Sequence, residues 1–539
     1  MNKGNNSEQN PRKEAGAGDS QSAIRNPQSA IEWRPRANVW LITLAVMLAT
    51  FMEVLDTTIV NVSVPYIAGS LAASNSEATW VLTSYLVSNA IILPASAWLG
   101  RFFGRKRFLI ACVIIFTVSS FLCGAATSLG FLIITRIIQG AGGGALQPFS
   151  QAIMLESFPP QKRGIAMGIF GIGVVVAPVV GPALGGWITD NYSWRWIFYI
   201  NIPIGILAVF LLQAFVEDPP YIKQAKSGRI DIIGFGLLAL WIATLQIVLD
   251  KGQEDDWFSA IWIRWFVLIS AIAFIAFVIH QLRTKEPIVN LRVFKNRNFA
   301  VGSLLILIVG VALYGSIVML PLFLQTLMGY PALQSGLTVS PRGLGALVAM
   351  PLVGILVNKV DNRFLIASGF LTFTAASIML SHVTLDVSRS FILWPNIMMG
   401  AAFGLIFVPL TTMTLGKLSN DQIGNGTGIF NLMRNLGGSI GISLVTTLLD
   451  RSAQIHQSLM RSHLTPFDPA LRRQIESLTQ VLGSEQRAYY VIYNTLLRQA
   501  SLWAYVNNFR LFAAICAICA FSVILFKKVR ATGGAVAVH

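Results

Sequence analysis

Arg136 lies within an apolar run of the sequence, residues 132–140, that also contains Gln139. A guanidinium keeps its proton, so inside a membrane it needs an anionic partner or water. Asp56 is the best candidate for that partner, and Glu53 precedes it by one helical turn in another apolar run. Burial favours a neutral carboxylic acid and a nearby arginine favours the ionised one. These residues therefore predict reversible proton binding in an apolar interior.

Each of these residues also has a less specific interpretation. Asp56 and Arg136 would form a static salt bridge, and Glu53 would be a water-lining group without a direct role. If both carboxylates act, their proximity favours protonation of one, which predicts a second proton or cation site. Gln139 either orients Arg136 or lines a cavity. Helical rise places Asp56 and Arg136 at a similar depth, roughly 10–14 Å below the outer surface, so they pair if their helices are neighbours.

The elements that must position these residues are membrane helices. The chain has 539 residues, of which 54% are hydrophobic and 12% charged, and its apolar runs are long enough to cross a bilayer core of about 30 Å. The runs predict an all-α integral membrane protein with fourteen transmembrane helices at residues 38–65, 77–100, 108–127, 130–156, 164–188, 196–216, 231–250, 261–282, 299–327, 335–357, 363–384, 389–415, 422–448 and 502–526.

Basic residues predict the orientation. They cluster in alternate short loops, whereas the opposite set of loops has little beyond Arg195 and Lys251. The positive-inside rule then places both termini in the cytoplasm, and the net charge of +16 reflects a membrane surface rather than nucleic acid. Residues 1–35 are polar and predict a disordered cytoplasmic tail without a cleavable signal peptide, and residues 531–539 predict a second cytoplasmic tail.

One outward-facing segment, residues 449–501, is much longer than the other loops. It is polar with aromatic and leucine patches, and long loops in compact proteins are usually functional. Two interpretations stay open: a mobile external loop, or a docking surface for a periplasmic partner.

The second half of the chain has fewer charges within its apolar runs. Arg342 either lines a cavity or extends to the membrane surface. Asn431, Arg434 and Asn435 fall at helical spacing and predict a polar face, which either lines a cavity or holds helices together. The turns at residues 97–107 and 354–363 are both basic connections between paired helices, which is weak evidence for duplicated halves.

Several classes of protein lack support in the sequence. We find neither a phosphate-binding Gly-x-x-x-x-Gly-Lys motif nor a His-Glu-x-x-His zinc motif, and no nucleophile motif. All four cysteines, including the pair Cys516 and Cys519, lie in apolar runs, which favours packing over metal or redox work. We therefore expect neither an enzyme nor a bound cofactor or metal.

Three motifs together resemble the major facilitator superfamily. The turn at 97–107, with Gly104, Arg105 and Lys106, is similar to its cytoplasmic loop motif, and residues 132–140 are similar to its helix-4 motif. The most specific is the similarity of helix 5 to the antiporter motif of exporters, through Gly171, Gly173, Pro178, Gly181, Pro182, Gly185 and Gly186. Residues 55–62, 194–203 and 249–258 resemble the fourteen-helix drug:proton antiporters of the EmrB/QacA group, in particular the EmrB type.

This resemblance implies a major facilitator fold of two six-helix bundles with two extra helices between them. The N-terminal bundle would cover residues 36–220, the extra helices and linkers 221–298, and the C-terminal bundle 299–530. Proton coupling would fall to Asp56, Glu53 and Arg136, with the cavity or substrate site at the residues Asn61, Gln139, Arg342, Asn431, Arg434 and Asn435. Helix 5 would seal the cavity against proton leak, or its glycines would simply allow close packing. Arg101 replaces the aspartate of the loop motif, so the latch attributed to that aspartate cannot work in the same way.

The function that this resemblance implies is proton-coupled efflux of hydrophobic or amphipathic compounds across the inner membrane. The proton gradient would supply the energy, and the EmrB type implies a periplasmic adaptor (a membrane fusion protein) and an outer-membrane channel as partners. Two rivals stay open: a dedicated exporter of a lipid, siderophore or metabolite on the same fold, and a passive channel or membrane receptor.

Overall fold

The computed structural model describes residues 35–218, 231–416, 418–465 and 467–526, and across these ranges the chain forms helices and no β-strand. Both predicted tails, apart from residue 35, and most of the linker before the extra helices lie outside the described residues. Fourteen of the described helical segments are long and apolar enough to cross a membrane. They are numbered here as spans 1 to 14: Val39–Ser70, Trp80–Phe103, Arg105–Gly124, Leu129–Ser157, Arg163–Asn191, Trp196–Phe215, Ile232–Lys251, Ile261–Arg283, Arg297–Thr326, Gln334–Leu356, Asn362–Leu380, Arg389–Leu415, Gln422–Ser462 and Glu485–Ser522.

Some spans are interrupted. Span 1 passes from Val39–Ile59 through a 3-10 turn at Val60–Ser63 into Val64–Ser70, where Pro65 occupies the first turn of the new helix. Proline disfavours the α-helical conformation of the residue before it and fits well in the first turn of a helix. Pro65 therefore explains why the first helix of span 1 ends and a new one begins. Spans 4, 6 and 10 are each built from two helices: Leu129–Gly143 with Leu146–Ser157, Trp196–Tyr199 with Asn201–Phe215, and Ala332–Val339 with Pro341–Leu356.

Spans 1 to 6 pack on one another, as do spans 9 to 14, giving two halves of six spans each. The halves meet where span 5 packs on spans 10 and 12, and where span 13 packs on spans 2 and 4. Spans 7 and 8 form a pair of their own, and span 7 contacts span 2 of the first half and span 13 of the second. The expected fold of two bundles with an extra pair is confirmed.

The segment between the last two long apolar runs differs from the prediction. Residues 449–501 are not an irregular loop: the helices Asn420–His463 and Glu485–Ser522 extend well beyond the apolar runs, and Pro469–Leu482 lies between them. Buried apolar residues explain why this segment is helical: Ile475, Ala488 and Leu496 are buried, while the residues around them are mostly exposed. We call residues 449–501 the helical hairpin.

The two ends of the bundle differ in charge. Arg101, Arg105, Lys162, Arg163 and Lys359 lie at the end where span 1 begins, which we call the basic face. The helical hairpin lies at the opposite end, since it comprises the last turns of span 13, the helix Pro469–Leu482 and the first turns of span 14.

Candidate functional site

Asp56 lies near the end of the first helix of span 1, with no exposed surface. Arg136 Nη1 is 2.6 Å from its Oδ2. Gln139 Nε2 donates to Oδ1 at 3.1 Å and Asn201 Nδ2 donates to the same oxygen at 2.8 Å. The structure therefore brings the expected pair together and surrounds the carboxylate with three donors from spans 4 and 6.

The guanidinium of Arg136 has several further contacts. Its Nε donates to the carbonyl of Val81 at 3.1 Å, and its Nη1 also donates to Gln139 Oε1 at 2.7 Å. The ring of Tyr85 lies 4.1 Å from the guanidinium carbon, a cation–π distance. Gln139 thus contacts both members of the ion pair.

Glu53 belongs to a second network deeper in the bundle and is 2% exposed. Its Oε1 accepts from Asn89 Nδ2 at 3.0 Å and from the hydroxyl of Tyr85 at 3.4 Å. Its Oε2 accepts from Gln147 Nε2 at 2.5 Å, and Gln147 Oε1 in turn accepts from Arg434 of span 13. Gln147 therefore links a carboxylate of one half to an arginine of the other.

We call the boundary between the two halves the seam, and this part of it lies where span 13 packs on spans 2 and 4. A second contact crosses it one helical turn away from Gln147. Asn431 Nδ2 donates to Gln151 Oε1 at 2.7 Å and to the carbonyl of Thr427 at 2.9 Å. Asn435 is half-buried, and its carbonyl accepts from Ser439. Asn431 of the polar face thus contacts span 4, whereas the side chain of Asn435 is only partly buried.

The structure also places three further polar residues. Arg342 is 1% exposed, so it does not extend to the membrane surface. Asn61 is exposed in the 3-10 turn of span 1. Glu156, near the end of span 4, has a side chain that is only 3% exposed and is paired with Arg105.

Span 5 is one continuous helix through Pro178 and Pro182. A Cβ at Gly168 would lie 2.7 Å from the carbonyl oxygen of Met350, so span 10 approaches the backbone of span 5 there. Gly171, Gly173, Gly181 and Gly185 are similarly crowded by neighbours, whereas a Cβ at Gly186 would meet nothing within 4 Å. The motif's glycines, apart from Gly186, thus permit close packing.

The loop motif contributes to the basic face. Gly104 has φ = +85°, a conformation that favours glycine, and it separates spans 2 and 3. Both terminal nitrogens of Arg105 donate to Glu156 at the end of span 4. The amide of Lys106 donates to Asp218 at 2.8 Å. Arg101 is exposed, so the pairing at this turn runs through Arg105.

Sequence reasoning missed the neutral members of the site. Asn201 stands within the run 194–203 whose family resemblance was noted, but no role was assigned to it; Asn89, Gln147 and Gln151 carried no such signal. In an apolar run, an uncharged amide side chain is a weaker indication of a functional site than a charged side chain. Within the described residues, no group of three or more His, Cys, Asp or Glu is arranged to hold a metal ion.

Comparisons with known proteins agree with this architecture. Residues 46–442 match the model of the Major Facilitator Superfamily. The chain is 39% identical over 454 residues to the multidrug export protein EmrB of Haemophilus influenzae, covering 84% of this chain and 88% of that protein. It is 37% identical to the fatty acid resistance protein FarB of Neisseria gonorrhoeae, covering 85% and 90%. The solved structure of the human organic anion transporter MFSD10 superposes with a TM-score of 0.58 at 12% identity, covering 90% of this chain and 99% of that one.

The family match spans most of the chain, and the relatives are matched over most of their own length. The helical fold and the buried ion pair between spans 1 and 4 are consistent with these similarities. The chain belongs to the major facilitator superfamily, as an EmrB-like multi-pass membrane transporter and not an enzyme.

Proposed function

We propose that this protein exports hydrophobic and amphipathic compounds across the inner membrane in exchange for protons. Its relatives are named for multidrug export and for fatty acid resistance. The observation that carries the proposal is the buried contact of Asp56 with Arg136, because an ionisable residue inside a membrane is costly and marks a functional site by default. The proton gradient is the proposed source of energy.

Asp56 would carry the proton, and its surroundings suit both of its forms. Its three donors stabilise the ionised carboxylate. The neutral acid needs an acceptor instead, and Asn201 Oδ1 is a buried oxygen for which the described residues supply no donor. Rotation of the Asn201 amide would turn this oxygen toward Asp56. Separation from Arg136 would then allow protonation from outside.

Glu53 would couple the proton to movement of the two halves. Glu53 accepts a hydrogen bond from the amide of Gln147, and the same amide accepts a hydrogen bond from Arg434 across the seam. A protonated Glu53 accepts fewer hydrogen bonds from Gln147, which weakens the contact with Arg434. Alternating access then follows from rocking of the halves about this seam. Span 5 would limit proton leak through its close contact with span 10.

The test is drug efflux from proteoliposomes under an imposed pH gradient, comparing the parent with Asp56→Asn. We expect the gradient to drive efflux in the parent, and the variant to lose this response while it still binds drug. Asp190→Asn is the matched control, because Asp190 is an exposed carboxylate that accepts from Tyr66 at 2.7 Å. That control should respond like the parent.

Two outcomes would change the assignment. If Asp56→Asn transports as well as the parent, the proton is carried elsewhere and Glu53→Gln becomes the decisive variant. If the gradient drives no compound in the parent, proton-coupled efflux is contradicted. Substrate flux without proton movement would then favour a passive channel, and substrate binding without transport would favour a receptor.

A dedicated exporter is the second candidate, favoured by the similarity to a relative named for fatty acid resistance. The lipid, siderophore or metabolite of such a protein would be its one substrate class. Competition for efflux distinguishes the two: chemically diverse drugs should displace one another in a multidrug exporter, whereas a dedicated exporter should respond to one class alone.

We further propose that both termini are cytoplasmic and that the helical hairpin contacts a periplasmic adaptor linked to an outer-membrane channel. The basic face supports this orientation. Phe467 and Val481 are 83% and 80% exposed on the hairpin, which is unusual for large apolar side chains in water. Changing both to serine should lower efflux from cells but leave transport in proteoliposomes unchanged. Equal activity in cells would contradict the adaptor contact, and reporter fusions at each terminus test the orientation.

A further inference from the structure

Arg342 is a buried cation within the second half. It lies at the start of the helix Pro341–Leu356 and is 1% exposed. Its Nη1 donates to Ser316 of span 9 at 3.2 Å, and its Nη2 lies 2.9 Å from the sulfur of Met399 of span 12. The guanidinium therefore lies among three spans of one half, away from both faces of the bundle.

The partners of Arg342 are poor for a full positive charge. A thioether is a weak acceptor, and the hydroxyl of Ser316, which accepts from Arg342 while it donates to the carbonyl of Leu313, carries no negative charge. The Nε of Arg342 is buried and has no acceptor among the described residues. A guanidinium cannot release its proton, and an uncompensated buried charge is costly.

The other buried charges within the described residues are compensated. Arg136 contacts Asp56, Arg105 contacts Glu156, and Lys251 contacts Glu254. Arg434 reaches Glu53 through the bridging amide of Gln147, although its Nε and Nη1 have no acceptor among the described residues. Arg342 alone, among the buried charged side chains of the described ranges, has neither a carboxylate in contact nor one joined through a bridging side chain.

An aromatic column begins beside Arg342. Met399, Phe403 and Phe407 follow one another at four-residue spacing, so they share one face of span 12. The rings of Phe403 and Phe407 stack at 5.2 Å, and Phe407 stacks on Phe170 of span 5 at 6.3 Å. The column therefore leads from the guanidinium to the seam between the halves, and aromatic and thioether groups adapt to varied apolar ligands.

We propose that Arg342 binds the carboxylate of an amphipathic acid and that the column of Phe403, Phe407 and Phe170 receives its apolar tail. A guanidinium matches a carboxylate with two parallel hydrogen bonds. The proposal names a substrate class for the exporter and rests on the proposed function for transport, though not for binding. It also has an electrical consequence, because exporting an anion in exchange for a proton moves two positive charge equivalents inward.

The test is binding to the purified protein in nanodiscs, with three probes that share one tail: dodecanoate, 1-dodecanol and dodecyltrimethylammonium. Above the pKa of the free acid, the parent should bind dodecanoate about tenfold or more tighter than dodecanol. Arg342→Gln should remove this preference without changing dodecanol binding, and Arg342→Lys should keep part of it. Arg389→Gln, which removes an exposed arginine at the start of span 12, is the control and should bind like the parent.

Equal binding of the acid and the alcohol by the parent overturns the proposal, and this comparison needs no variant to fold. Retention of the preference in Arg342→Gln also overturns it. The proposed proton-coupled export and the proposed binding of a carboxylate at Arg342 can fail independently. If the parent shows no proton-driven efflux but prefers the acid, only the transport proposal is rejected. If efflux depends on Asp56 but the parent shows no preference for the acid, only the assigned ligand is rejected. Where transport does occur, an imposed membrane potential should accelerate efflux of the acid more than efflux of the alcohol.

Discussion

Gln147 of span 4 and Arg434 of span 13 are hydrogen-bonded across the seam between the two halves, and Gln147 donates to Glu53 on its other side. One neutral amide thus joins a carboxylate and a guanidinium that do not touch. The contact can form and break as the halves move, because it requires only a side-chain amide to separate from an arginine.

Replacing Gln147 with leucine tests this bridge. The variant leaves Glu53 and Arg434 buried without their shared partner, and an unsatisfied buried charge-assisted bond costs about 1–3 kcal/mol. We expect a lower thermal midpoint and at least about tenfold slower gradient-driven efflux. Gln147→Glu gives Arg434 a direct anionic partner but cannot donate to Glu53, so Glu53 would have to hold a proton beside it. We expect this variant to keep the contact with Arg434 and to transport slowly. Transport at the parent's rate in both variants would contradict the bridge.

Asn201 is predicted to matter because it donates to Asp56 at 2.8 Å and to Ser120 at 3.0 Å. Asn201→Leu removes both bonds and should reduce efflux by about tenfold or more, since a hydrogen bond to a charged group contributes about 1.5–3 kcal/mol. Drug binding in the absence of a gradient should be preserved. Asn191→Leu is the control, because Asn191 is exposed and donates only to the carbonyl of Trp187.

The sequence predicts the charged part of the site better than its neutral part. Asp56 and Arg136 are conspicuous because charges are rare in apolar runs, and the resemblance to a family placed their helices side by side. Asn201 and Gln147 are ordinary amides, and only the packing of spans 4, 6 and 13 reveals what they contact. The ion pair of Glu156 with Arg105 could not be predicted for a related reason, because the two residues lie far apart in the sequence.

The helical hairpin was misjudged because hydropathy detects helices that face lipid. Residues 449–501 are polar, so their helices bury only a narrow stripe that includes Ile475 and Ala488. The long apolar spans other than spans 13 and 14, which continue into the hairpin, were predicted to within a few residues at each end, since each contains a continuous run long enough for a bilayer. Breaks within spans, such as that before Pro65, depend on local backbone restrictions that the runs conceal.

Gly168 and Gly186 of span 5 provide a matched pair of substitutions. A Cβ at Gly168 would lie 2.7 Å from the carbonyl oxygen of Met350, which is backbone and cannot easily move, whereas Gly186 has open space. Gly168→Ala should therefore separate spans 5 and 10 at a cost of about 1–3 kcal/mol and increase proton leak through liposomes. Gly186→Ala should change neither stability nor leak, and a leak of equal size in both variants would remove the packing explanation.

Asp231 at the start of span 7 predicts a pH-dependent contribution to stability. Partial burial acts to raise the pKa of Asp231, but hydrogen bonds from His280, the amide of Gly234 and Gln281 outweigh it, so the pKa lies below its usual value. A lowered pKa stabilises the folded protein above the ordinary aspartate range, and this contribution is lost as pH falls through the folded-state value. Asp231→Asn should therefore lower the thermal midpoint near neutral pH, with the difference disappearing in acid. A difference that is constant with pH would exclude this origin.

Span 7 is bonded to both halves near the face opposite the basic one. Thr83 of span 2 donates to Asp250, while Gln246 and Ser439 of span 13 exchange hydrogen bonds at 2.7 and 3.0 Å. Span 7 packs more extensively on span 2 than on span 13. We therefore expect it to move with the first half, so that the contact between Gln246 and Ser439 opens when the halves part at that face.

Disulfide cross-linking measures which half span 7 follows. The pair Gln246→Cys with Ser439→Cys should block efflux when oxidised and recover it on reduction, because the bond would prevent the halves from separating. The pair Thr83→Cys with Asp250→Cys joins span 7 to the half with which it moves, so oxidation should leave efflux unchanged relative to the reduced protein. The reverse result, with only the second pair blocking transport, would mean that the extra spans travel with the second half and that the opening seam lies between spans 2 and 7.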